Sequence, residues 1–143
     1  MTSVVVSPAT FRERAATAFA FLEAKGFARS PADELESPVG ASVVYAGRHV
    51  GFLVGLDVRD AAVDVRVARA RDGRLVGPGP ERYHANLVQH LVAHAGYRGR
   101  GPRSGSEFPR DEAALAQILA GWAEFLRAEG GALLADDAAS LPR

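Results

Sequence analysis

The chain has 143 residues and no cysteine, and its seventeen Lys and Arg residues balance seventeen Asp and Glu. That excludes thiol catalysis, disulfides and thiolate metal sites, and leaves no global attraction to nucleic acid or an anionic membrane, so that such binding would need a local patch. The length suits one domain, 1–143, burying roughly two thirds of its unfolded surface without a covalent or metal staple.

Lys25 is the only lysine amid abundant Arg, Ala and Gly, the composition of a GC-rich bacterial genome. No apolar run is long enough to span a bilayer and no signal-peptide pattern opens the chain, so a cytoplasmic location without membrane contact is expected.

The first helix is expected from Ser7, an N-cap followed by Pro8, to Gly26, with Phe11, Ala15, Ala18, Phe19 and Leu22 on one side. Residues 28–39 lapse into Arg29-Ser30-Pro31 and Glu36-Ser37-Pro38, which read as a polar excursion with a short strand at its edge. From Val43 to Ala70 apolar residues alternate: Val50, Phe52, Val54, Leu56 and Val58 share one face of a strand, and Val63, Val65 and Val67 continue it in the next. Turns fall at Ala46-Gly47-Arg48, at Arg59-Asp60-Ala61-Ala62 and at Arg71-Asp72-Gly73-Arg74, whose Asp-Gly suits positive φ. Leu75-Val76 reads as a short return strand, ended by Gly77-Pro78-Gly79-Pro80. A second helix is expected over 81–95, with Leu87, Val88, Leu91 and Val92 on its apolar side. Residues 96–109 read as a mobile loop. The last helix, about 111–129, carries the clearest stripe: Leu115, Ile118, Leu119, Trp122, Phe125 and Leu126. Residues 132–143 form a short tail with one apolar contact, Leu133-Leu134. The expected fold is α+β, a single antiparallel sheet of three to five strands with two to three helices packed on one face.

Pairing Val58 with Val63 sets Leu56 beside Val65 and Val54 beside Val67. It puts Asp57 opposite Asp64 on the other face, with Arg59 and Arg66 in diagonal reach. Two neighbouring carboxylates can share a proton or hold a hard cation; the plainer reading is a solvated face neutralised by the arginines. Gly51 and Gly55 lie on this same face beside Leu53 and Val44, a low floor that points either to close approach of another group or to a bulge.

His84, His90 and His94 fall on the second helix. His90 and His94 are one turn apart, the spacing at which a helix offers two imidazoles to one metal ion, but Leu91, Val92 and Ala93 stand between them, so the Glu of a HExxH site is missing. A surface His pair flanked by Asn86 is the alternative, and His49 has no discernible partner. Ser104-Gly105-Ser106 lacks the strand-turn-helix setting of a nucleophile elbow. Gly77-Pro78-Gly79-Pro80 loses two backbone donors to proline and is followed by no GKS/T. Arg98, Arg100 and Arg103 with Tyr97 and Phe108 offer phosphate contacts and stacking for a nucleic acid, or the rim of a protein contact.

The helix end Leu22-Glu23-Ala24-Lys25-Gly26-Phe27, the runs Val43-Val44-Tyr45, Val54-Gly55-Leu56-Asp57-Val58-Arg59 and Val63-Asp64-Val65, and the final Glu129-Gly130-Gly131-Ala132-Leu133-Leu134 together resemble a broad group of small uncharacterised bacterial α+β proteins. Its typical features are a Leu-x-x-x-Gly-Phe helix end and a Leu-Asp-x-Arg strand end. Some small proteins of this look serve as immunity partners that bind and neutralise a toxin, so the resemblance implies protein binding.

With no catalytic constellation and no cofactor implied, the expected function is a non-enzymatic module that binds another protein. Its candidate contact residues are Gly51, Leu53, Gly55, Asp57, Arg59, Asp64, Arg66, Arg98, Arg100 and Arg103. The alternatives are a small-molecule or metal site in a sheet-helix cleft, with His90 and His94 as metal candidates, nucleic-acid binding through the Arg-rich loop, and self-association into a homo-oligomer.

Overall fold

The computed structural model describes residues 6–57, 62–77, 83–102 and 112–142. Three long strands form its centre: β3 (Gly40–Ala46), β4 (Val50–Asp57) and β5 (Ala62–Arg71). All pairings are antiparallel, with Val43 opposite Val54 and Val54 opposite Val65, so that Ala41, Val43, Tyr45, Phe52, Val54, Leu56, Val63, Val65 and Val67 share the helix-covered face. Outside β3 lie β1 (Ala28–Arg29) and β2 (Glu36–Ser37); outside β5 lie β6 (Arg74–Leu75) and β7 (His84–Asn86). The described residues thus hold seven strands at five positions, not three to five strands. Each outer position is shared by two strands of two or three residues: the short strand expected within 28–39 and the return strand expected at Leu75-Val76 are found, and the second strand on each side is too short for alternation to reveal.

The helices are α1 (Pro8–Ala18), the single turn α2 (Phe21–Ala24), α3 (Leu87–His94), α4 (Glu112–Glu129) and the single turn α5 (Gly131–Leu134). The Ser7 side chain accepts the Thr10 N–H at 3.1 Å and Pro8 opens the first turn, as expected. The expected long helix instead breaks at Phe19-Ala20, and Phe19, Leu22 and Phe27 all reach the core. It stops in a Schellman motif: Gly26 takes φ +96°, its N–H donates to the Glu23 carbonyl, and the Phe27 N–H donates to the Leu22 carbonyl. The Leu-x-x-x-Gly-Phe pattern is therefore a stop signal whose two apolar ends are buried. Asp72 and Gly73 both adopt positive φ, 49° and 88°, which suits the tight β5–β6 turn. In α4, Leu115, Leu119, Trp122, Ala123 and Leu126 are buried. Among the described residues no helix is long and apolar enough to cross a membrane.

The second helix departs most from expectation. It starts at Leu87, because the Asn86 side chain caps it by accepting the Val88 N–H at 2.9 Å, and His84–Asn86 pair with β5 instead. Edge pairing to an existing strand outcompetes the weak helical periodicity before residue 87.

Residues 28–39 are more than a polar excursion. Between β1 and β2 the backbone leaves the edge of β3, so the Val44 N–H has no strand partner and donates to the Glu34 carboxylate at 3.0 Å. That side chain is 1% exposed and is also held by Arg12, at 2.6 Å, and by Arg29 through two donors. Burial pushes the Glu34 carboxyl up, but Arg29, the Val44 N–H and Arg12 together outweigh it and hold the group below its ordinary value. Next to it Asp33, in a 3₁₀ turn (Pro31–Asp33), is also opposed by burial, yet Arg74, the Leu75 N–H and Ser30 bring it down to about 2. Asp33 thereby ties the excursion to β6 across the second face of the sheet.

The tail is equally engaged. Leu133 and Leu141 are both buried, beyond the single Leu133-Leu134 contact expected. Asp136, at φ +57°, accepts three consecutive N–H groups of the β3–β4 turn: Arg48 at 2.6 Å, His49 at 3.0 Å and Val50 at 2.9 Å.

Two stability outcomes follow. Glu34→Ala leaves a buried N–H and two guanidiniums without their acceptor and should cost about 3 kcal/mol by urea unfolding, with Glu34→Gln losing less because it keeps one acceptor. Asp136→Ala should cost about 2 kcal/mol in the same assay and Asp136→Asn less, since Asn tolerates positive φ and still accepts.

Candidate binding face

The face of the sheet opposite the helices carries Ser42, Val44 and Ala46 from β3, Gly51, Leu53, Gly55 and Asp57 from β4, and Ala62, Asp64, Arg66, Ala68 and Ala70 from β5. One end of it is closed. Gly51 pairs in uninterrupted register with Ala46 and Ala68, so there is no bulge. A Cβ at Gly51 would meet Leu75 Cδ2 at 2.5 Å, so close approach of the β6 side chain is what requires glycine. Val44, Ala46, Ala68 and Ala70 are buried. Of the two readings of Gly51, close approach therefore holds at this end, and Gly51 is covered instead of lying open for contact: the excursion and the β5–β6 hairpin close over it, latched by Asp33 and Arg74.

The other end remains accessible. Leu53, Gly55, Asp64 and Arg66 are half-buried, Asp57 is exposed, and Leu35, whose backbone carbonyl accepts the Ser42 N–H at 2.7 Å, is 57% exposed. The hairpin register differs from the expected one by two residues. Asp57 faces Ala62 and Asp64 faces Gly55, so the two carboxylates are diagonal neighbours and not a directly opposed pair. Moving the turn centre by one residue slides the pairing by two, and a slip of two leaves every side chain on its original face. Hydrophobic alternation is blind to it.

The slip has an electrostatic result. Asp64 lies against the bare backbone of Gly55, its Oδ1 3.8 Å from where a Cβ would stand there, and its Oδ2 is 3.6 Å from Arg66 Nη1. Burial pushes the Asp64 carboxyl up, Arg66 pulls it down, and the charge of Asp57 adds to the upward push, for a net raised value. The protonated form is thus favoured in the fold. Its stabilising effect is present below the unfolded value and fades as pH rises through the folded one, so ionised Asp64 weakens the fold at neutral pH.

The histidines are redistributed. His84 lies in β7, not on a helix. Leu87 and Leu91 are buried on the expected apolar side, but Val92 is 52% exposed and His90 only 2%, so the surface His pair is also corrected: His94 alone of the two is exposed. Burial of His90 is tolerated because its Nδ1 is 2.8 Å from the Tyr83 hydroxyl. That contact occupies one of the nitrogens a metal would need, and among the described residues no group of three or more His, Asp or Glu is disposed to hold a metal ion. Burial and the neighbouring His94 outweigh the upward pull of the Ser140 backbone and lower the basicity of His90.

Arg98 and Arg100 are exposed after α3. Tyr97 does not stand beside them as a stacking platform: its ring packs on Phe125 at 5.1 Å and its hydroxyl accepts the Gly101 N–H at 3.0 Å. Val58, Arg59, Pro78-Gly79-Pro80, Arg103, Ser104-Gly105-Ser106 and Phe108 lie outside the described residues. The groups missed by sequence reasoning are Glu34, Asp33, Tyr83 and Asp136. Their roles depend on partners from 3 to 88 positions away, most of them beyond the reach of any local pattern.

Comparison with protein-family models, with curated proteins and with solved structures finds no match for this chain.

Asp64→Asn removes the disfavoured charge while keeping the shape. It should raise the melting temperature at pH 7, and the gap to the native chain should narrow as pH falls toward 4; thermal scans at several pH values check this.

Proposed function

We propose that the chain is a non-enzymatic, cytoplasmic protein-binding module, immunity-like in the sense of the group it resembles, and that it contacts its partner through the open end of the second sheet face. One observation carries the reading: a half-covered sheet face in which Leu53 and the half-buried Asp64 and Arg66 surround the Gly55 floor, next to the exposed Leu35, whose backbone pairs with Ser42. Apolar surface bordered by a carboxylate and a guanidinium is the composition of a small protein contact, with area from the leucines and orientation from the charges. The split edges at both sides of the sheet disfavour strand addition, which leaves the face as the surface for association.

Gly55→Phe tests this. The side chain would rise from the floor of the patch, meeting first the flexible end of Leu53 at 3.3 Å, so the fold should tolerate it. The expected result is loss of the protein captured from source lysate by the tagged native chain, with an unchanged melting temperature. Capture that survives Gly55→Phe removes this face from the reading, and an empty capture by the native chain ends the reading itself.

A further inference from the structure

The open end of the second sheet face complements itself in charge and in shape. In the β4–β5 register Gly55 lies beside Asp64 and, one step along the same face, Leu53 lies beside Arg66. The four residues mark the corners of a small rectangle, with Gly55 and Asp64 toward Asp57 and with Leu53 and Arg66 toward Gly51. All four are half-buried. The closest approach of Asp64 to Arg66, 3.6 Å, is longer than a direct hydrogen bond. Leu53 leans across the rectangle, its Cδ2 lying 3.3 Å from where a Cβ would stand on Gly55.

The face also has a step. Past Leu53 it is raised, because Leu75 stands against Gly51 and Ala68 is buried. Past Gly55 it is low, and Asp57 is exposed. A surface raised at one end and low at the other is matched by its own copy turned end for end.

Resting on the reading of this face as a contact surface, we propose that its occupant is a second copy of the chain, in a two-fold dimer. The axis lies between the two sheets, perpendicular to β4 and β5 and midway between the two residue pairs. Rotation about it lays β4 over β4 and β5 over β5 in opposite directions, and every contact occurs twice. Asp64 of each copy then faces Arg66 of the other, so charges set side by side in one chain become two intermolecular pairs. The two Leu53 side chains meet near the axis, each over the Gly55 of the other copy. Glycine leaves them room in the roughly 10 Å between stacked sheets. The raised end of each copy comes to lie over the low Asp57 end of the other. Burial disfavours ionised Asp64 in the single chain, and a second guanidinium offsets this.

Other placements fit less well. An axis running along the strands would set Asp64 on Gly55 and Arg66 on Leu53, and would drive the two raised ends together. The formal charge of the chain is zero, so no net repulsion opposes pairing with itself. The patch is smaller than a standard protein contact, which places the dissociation constant between about 1 μM and about 1 mM.

Sedimentation equilibrium across that concentration range should show the native chain passing from monomer to dimer. Asp64→Arg and Arg66→Asp each put like charges at both contacts and should weaken the dimer about tenfold or more. An equimolar mixture of these two variants should dimerise as tightly as the native chain, because every substituted charge then meets its opposite across the axis. A native chain that stays monomeric throughout overturns the dimer; whether the face serves a different protein is judged separately, by capture with Gly55→Phe. Dimerisation undiminished in both single variants, or absent from their mixture, overturns it too. Should either charge variant fail to fold, Gly55→Phe decides in the same assay: it fills the space the Leu53 of the second copy would take, and an undiminished dimer overturns the proposal.

Discussion

The Val44 N–H lies inside the structure at a point the edge strand does not reach, and the Glu34 carboxylate is the acceptor that makes this possible. Because a side chain completes the ladder, the backbone between β1 and β2 is released from the sheet and can turn back over its second face. There Asp33 meets Arg74 and the Leu75 N–H. The same carboxylate reaches Arg12 on α1, so a single buried charge joins the helix layer, the sheet edge and the excursion. A buried anion is destabilising unless its oxygens are satisfied. Here they are, by guanidiniums that stay about 30% exposed and so keep part of their own hydration.

What the excursion covers decides what is left for function. β3 is buried along its whole length, on both faces, whereas on the second face Leu53, Gly55, Asp64 and Arg66 stay half-buried and Asp57 is exposed. Both outer positions of the sheet are split into short strands, an arrangement that blunts edge-to-edge association. A surface patch at Leu35, Leu53, Gly55, Asp64 and Arg66 is then the part of the sheet best exposed to a partner.

The two ends of the molecule are held by different means. Near Gly51 the closure is electrostatic, with Asp33 accepting from a guanidinium, a backbone N–H and a hydroxyl. At the tail it is the Asp136 clamp together with the buried Leu133 and Leu141. The first is insensitive to pH above the titration of Asp33 near 2.

The strands, the last helix and the helix stop at Gly26-Phe27 were legible in the residues because each depends on neighbours within a few positions: alternation for β4 and β5, the i, i+3, i+4 stripe for α4, a positive φ for Gly26. The face on which each strand residue lies was legible for the same reason, and so the patch around Leu53 and Gly55 was too. The register of the β4–β5 hairpin was not, since a two-residue slip preserves every face. Nor were β7, the start of α3 at Leu87, the burial of His90 or the clamp at Asp136, because each was decided by a partner brought from elsewhere: β5 for His84–Asn86, Tyr83 for His90, the distant turn for Asp136. By itself the sequence determined periodicity, and with it the sheet and its helix-covered side. Only the tertiary structure decided which polar groups would be buried, because a buried charge or imidazole is acceptable only once its partners have arrived.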